Sequence, residues 1–241
     1  MVQESRASVL DLVDLEAISA IATGGGRRIY AHPSDDKLLI KVIDQSSRSR
    51  YMMRHRIKRW YKRFQRASAY RGFIGEFSES VTISARNPDC VRLPLARVVG
   101  VTRTTQGPGL MVEKIRGIDR ALAPTVEQLV RAGGLQPALR EELDAFLATL
   151  IDAHVVVNDM SAANIVRGVN ADGHSGLFLI DGFGVKQKIP LYALSKTLNG
   201  RHLTEKFGEM IEWLQRAAPK AERAMEAPSL IDEFDGGNPA A

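Results

Sequence analysis

The sequence predicts an α+β chain of two lobes, the first sheet-rich and the second a reduced helical one. Three observations carry this. β-Prone runs at residues 18–23, 27–31 and 38–43 are followed by a hairpin signal over 95–113. Leu143, Phe146, Leu147, Leu150 and Ile151 then recur at helical spacing. With 44% hydrophobic residues in a chain of 241, there is apolar material enough for a substantial core.

In chain order, the first two runs flank Gly24-Gly25-Gly26, a turn whose bare backbone lets amides approach a phosphate. The third run, Leu38-Leu39-Ile40-Lys41-Val42-Ile43, holds one charge. An ammonium in an apolar strand needs a partner, and the phosphates of a nucleotide would suit Lys41; an edge-strand lysine is the plainer reading.

Arg48 to Arg71 then holds ten Arg and Lys and no acid. The whole chain is +5, so the remainder sums to −5, and the basic character belongs to one segment. Met53, Ile57, Trp60, Phe64 and Ala67 recur at intervals of four and three, which predicts an amphipathic helix with a basic outer face.

The hairpin signal pairs 95–105 with 110–113 through Gln106-Gly107-Pro108-Gly109. Residues 115–125, with Gly117 and Pro124, form the crossing to the second lobe. The helix carrying Leu143 to Ile151 takes Glu141-Glu142 as its first turn and leads into a loop. His154, following that apolar stripe, is expected to be packed and hydrogen-bonded. A last helix spans 204–225, with Phe207, Met210, Ile211 and Leu214 inward. The expected division is a first lobe over 1–114, a second over 115–226 and a loose tail over 227–241.

The chemistry concentrates in the loop Asn158-Asp159-Met160-Ser161-Ala162-Ala163-Asn164. Residues 165–167 and 177–180 read as strands, with Asp172-Gly173 as a turn signal between them. Antiparallel pairing brings Asn164, before the first strand, and Asp181, after the second, within roughly 5–8 Å. A carboxylate and an amide oxygen facing one space suit Mg²⁺ beside nucleotide phosphates. Asp159 lies on the loop leading in, where it can accept a hydrogen bond from a substrate hydroxyl and orient it for attack.

Asp-x-x-x-x-Asn at 159–164, strand-turn-strand, and Asp181-Gly182-Phe183-Gly184 together resemble the protein-kinase-like superfamily. Within it, chain length, the basic insertion and the short region after Asp181 are most similar to the bacterial YrbL-type (PhoP regulatory network) proteins, over roughly residues 15–215. The resemblance implies an ATP- and Mg²⁺-dependent phosphotransferase. Asp159 and Lys41 would be catalytic, Asn164 and Asp181 would hold metal, and Gly24, Gly25, Gly26 and Lys41 would hold phosphate. It also implies that Glu76 pairs with Lys41, with Glu79 one turn along as competitor. Backbone groups of Val112, Glu113 and Lys114 would meet adenine.

Departures from the kinase pattern narrow the expectation. Val157-Asn158 stands where most protein kinases have His-Arg, so control by a phosphorylated activation loop is not expected. The metal-binding triplet carries an extra glycine, and no Ala-Pro-Glu follows. Of 241 residues, 57 follow Gly184, which fits a small-molecule or glycan acceptor better than a protein substrate.

Other chemistries find little support. One cysteine, Cys90, leaves no intrachain disulfide or Cys-rich zinc site and suits a cytoplasmic location. The histidines have no metal-ligand spacing, and no hydrolase elbow or Walker loop is present. The N-terminus has no apolar signal core, and no window approaches the length of a transmembrane helix. Two rivals remain: a nucleotide-binding or catalytically silent regulator acting through the basic helix, and a kinase-like scaffold whose basic helix binds nucleic acid. An anionic surface or polyanion is preferred to nucleic acid as the partner of 48–71.

Overall fold

The computed structural model describes residues 12–24, 26–44, 70–87, 93–117, 119–184 and 191–218. Gly25, Cys90, the basic segment before Tyr70 and the chain beyond Ala218 lie outside the described residues, so the expectations placed there stay open.

The first lobe is an antiparallel sheet of β1 (Ala22–Gly24), β2 (Arg27–Ala31), β3 (Leu38–Ile43), β4 (Val98–Thr104) and β5 (Gly107–Glu113), in the order β1-β2-β3-β5-β4. Period-two alternation in β3 sorts its side chains. Ile40 and Val42 pack with Leu15 and Tyr30 on one face, while Leu39 joins Phe73, Leu110 and Val112 on the other. Lys41 shares the Leu39 face. A slip of one residue would carry the ammonium into the Leu15 cluster and expose side chains worth about 1.5–3 kcal/mol each, so the register is firmly set.

Helix α1 (Arg71–Arg86) bridges the lobes. Phe73 near its start belongs to the sheet core, and Ile83 near its end to the core of the helical lobe. That second core gathers α2 (Val126–Gly133), α3 (Pro137–Asp152), the hairpin of β6 (Ile165–Val169) and β7 (Ser175–Leu179), and α5 (Lys196–Ala217), which follows the single turn α4 (Leu191–Leu194). Thr125 and Gln128 form a reciprocal capping box that fixes where α2 begins.

Several boundaries differ from expectation. The first strand covers three residues, because Leu15 and Ile18 pack into the sheet core from a turn. The β4–β5 turn falls at Thr105-Gln106, and Gly107-Pro108-Gly109 lies within β5. Gly109 backs onto Ile40, where a Cβ would come within 2.6 Å of a methyl group, so this glycine serves packing and not a turn. Helix α3 begins at Pro137, which moves Glu141-Glu142 into its second turn. Helix α5 begins eight residues before 204, capped by Ser195, with Phe207, Met210, Ile211 and Leu214 buried as expected.

Candidate functional site

Strand β3, helix α1 and the loop after β7 meet at Lys41. Its ammonium is 3.3 Å from Glu76 Oε2 and donates to the Ile180 carbonyl at 2.7 Å, with both side chains almost fully buried. Glu76, not Glu79, therefore takes Lys41. A second cation joins them: Arg27 Nη1 lies 2.8 Å from Glu76 Oε1 and donates to Asp181 Oδ2 at 2.7 Å. Arg27 opens β2 just past the glycine turn, and its guanidinium stands over the Phe73 ring at 5.3 Å. Gly72 leaves it room, since a Cβ there would come within 2.8 Å of Arg27 Nη2.

Two cations and two anions thus balance in one partly dry cluster. Burial alone would push the Asp181 carboxyl up, but the Lys41 ammonium, the Arg27 guanidinium and the Gly182 N–H outweigh it and hold Asp181 below its ordinary value. For Arg27, burial pulls downward and the carboxylates of Asp181 and Glu76 more than restore it.

The catalytic-loop candidates are positioned by the glycine that looked surplus in the sequence. The Gly182 carbonyl accepts from the N–H of Asn158 at 2.7 Å and of Asp159 at 3.1 Å. At φ +85°, Gly182 packs so closely on Asp159 and Asn164 that a Cβ would lie 2.7 Å from the Asp159 carbonyl oxygen and 3.1 Å from Asn164 Nδ2. The Asn164 amide donates to the Asp159 carbonyl at 3.2 Å, and the Asn164 carbonyl accepts from Ile180 N–H at 2.9 Å. This last bond extends the β6–β7 ladder and puts Asn164 opposite Ile180, beside Asp181.

A cleft of about 650 Å³ between the lobes is lined by Gly24, Arg27, Lys41, Val112, Glu113, Asp159, Asn164 and Asp181 among others. A larger groove of about 1230 Å³ behind the β6–β7 hairpin contains none of these candidates. Gly26, at φ +76°, ties β2 to β3 by accepting from Asp44 N–H at 2.8 Å. Lys114 does not line the cleft.

The expected adenine donors are already engaged: Glu113 N–H donates to the Arg97 carbonyl and Lys114 N–H to the Lys37 carbonyl. The Glu113 side chain is buried, pairing with Arg97 at 3.0 Å and accepting from Ala171 N–H at 2.7 Å. Ile115, next along, faces the cleft, and its N–H makes no backbone hydrogen bond among the described residues.

The sequence matches the family model of the PhoP regulatory network protein YrbL over residues 13–215. The chain belongs to the YrbL family. No curated protein matches this YrbL-family chain. Solved structures similar to it include a crystal structure of Rad53 1–466 in complex with AMP-PNP, at 12% identity and a TM-score of 0.45, covering 81% of this chain and 46% of that one. The chain spans about half the length of that solved chain.

Sheet, bridging helix with its Lys-paired acid, loop and β6–β7 hairpin stand in this YrbL-family chain in the order that the kinase-like resemblance implies. Sequence reasoning missed Arg27, Arg97 and the hydrogen bond that Glu79 accepts from Val156 N–H. The one available hint for Arg27 was an arginine directly after the glycine run. No described helix is long and apolar enough to cross a membrane. The described residues hold no group of three or more His, Cys, Asp and Glu suited to a metal ion, so Asn164 and Asp181 stand as a two-residue candidate.

Proposed function

We propose that this YrbL-family chain is an ATP- and Mg²⁺-dependent phosphotransferase acting on a hydroxyl of a small molecule or glycan. The observation that carries this reading is the joining of Lys41 to Glu76 and to the Asp181 loop, with Asp159 lining the same cleft. Lys41 and Arg27 hold the polyphosphate, and the Ile115 N–H is the remaining donor for the base. Asp181 and Asn164 offer hard oxygens of the kind Mg²⁺ takes along with phosphate and water, and Asp181 is held ionised for it. When bound, Mg²⁺ supplies neutralising charge at the phosphates. Asp159, exposed at the cleft, accepts the proton of the acceptor hydroxyl as its oxygen bonds to the γ-phosphorus and the bond to the ADP oxygen breaks.

Changing Asp159 to Asn tests the reading. Transfer to a panel of hydroxyl acceptors should fall by about 10²–10⁴ while ATP affinity stays within about twofold. Equal loss of both contradicts the role.

One observation favours the regulator as second reading. Arg27 already occupies Asp181 Oδ2, which suits a chain that binds nucleotide and turns it over slowly or not at all. Its output would pass through Arg48–Arg71 to an anionic surface or polyanion.

A further inference from the structure

Glu79 is a buried carboxyl that the proposed transfer does not use. It sits one turn beyond Glu76 on α1 and points to the other lobe, where Val156 N–H donates to its Oε1 at 2.9 Å across 77 sequence positions. Val156 lies two residues before Asn158, where the catalytic loop begins. Its carbonyl accepts from Gly184 N–H at 2.8 Å, at the far end of the Asp181 loop. Gly184, at φ +95°, then lies against the start of α1, where a Cβ would run into the Gly75 carbonyl. The contacts close a ring from Glu79 through Val156 and Gly184 to Gly75, so one face of α1 grips both functional loops.

Both ends of the helix are also tied down, Phe73 in the sheet core and Ile83 in the helical core. A helix packed into two cores cannot swing without breaking one of them.

We propose that Glu79 is a positioning residue: through the Val156 amide it holds the catalytic loop in register with Lys41, and α1 is a fixed strut between the lobes. The proposal rests on the phosphotransferase reading only in taking the loops of Asp159 and Asp181 as the working ones.

The test is amide hydrogen exchange on the full chain without nucleotide, in wild type, Glu79→Ala and Glu79→Gln, followed by titration with Mg·ATP. Glu79→Ala should raise exchange over 154–160 and 182–184 by about tenfold, the loss of one buried hydrogen bond, and leave 207–214 in α5 unchanged. Glu79→Gln keeps an oxygen for the Val156 N–H and should stay near wild type in exchange and within about twofold in Mg·ATP affinity, while Glu79→Ala loses about tenfold.

Unchanged protection over 154–160 in Glu79→Ala overturns the proposal, as does Glu79→Gln exchanging as fast as Glu79→Ala. Should Glu79→Ala lose protection throughout, Glu79→Gln decides alone: protection kept supports the proposal and protection lost over 154–160 overturns it. Failure of the wild type to bind Mg·ATP would count against the phosphotransferase reading and leave the exchange result standing.

Discussion

The Arg27 guanidinium and the Asp181 carboxylate are hydrogen-bonded at 2.7 Å although 154 positions separate them in the chain. This pair links β2 to the loop after the β6–β7 hairpin. It also sets a competition, since a divalent cation at Asp181 must share its carboxylate with a fixed positive charge.

Arg27→Gln should therefore raise the affinity of the nucleotide-free protein for a divalent cation, read by Mn²⁺ titration. Because the pair is partly exposed, the stability lost should be about 1–3 kcal/mol, below the range for a fully buried pair. Unchanged Mn²⁺ affinity would mean that Arg27 does not compete.

Lys41→Met removes the ammonium from Glu76 and Ile180. Arg27 still faces Glu76, so the stability loss should stay near about 1–3 kcal/mol, whereas ATP affinity should fall by more than about tenfold. Chemical denaturation and calorimetry separate the two effects. Nucleotide affinity unaltered in a folded Lys41→Met protein would remove Lys41 from the site.

Gly184→Ala and Gly173→Ala form a matched pair. Both glycines have positive φ, +95° and +88°, so both substitutions incur about 1–2 kcal/mol of backbone strain. A Cβ at Gly173 meets nothing within 4 Å, while one at Gly184 meets Gly75. Overpacking should add about 1–3 kcal/mol at Gly184 alone, measurable as a lower denaturation midpoint. Equal losses would mean that α1 and the Asp181 loop do not press together.

Burial pushes the Glu79 carboxyl above its ordinary 4.5, against the Val156 N–H and the charges of Arg86 and His154. A raised carboxyl favours the protonated form in the fold, so its contribution is present below the unfolded value and lost as pH rises through the folded one. Glu79→Gln never ionises. Its stability relative to wild type should climb as pH rises above the ordinary carboxyl value of 4.5, followed by urea denaturation. A difference that stays flat above that value would contradict the shift.

Lys41, Asp159, Asn164 and Asp181 were legible in the sequence because short-range pattern places them: a lone charge in an apolar run, a five-residue spacing, two ends of one hairpin. Arg27 and Glu79 were not, since their partners lie 154 and 77 positions away and no local periodicity marks them. Gly182 looked like an irregularity in a motif until its close approach to Asp159 and Asn164 was seen. Gly109 misled in the opposite sense, because a glycine required by packing against Ile40 looks the same in sequence as one required by a turn.

The most direct test of the central claim is calorimetric titration of ATP, with and without Mg²⁺, into wild type and Asp181→Asn. Mg²⁺-dependent binding in the wild type that Asp181→Asn loses is the expected result. Absence of binding to the wild type in both conditions, or binding that ignores both Mg²⁺ and the substitution, would contradict it.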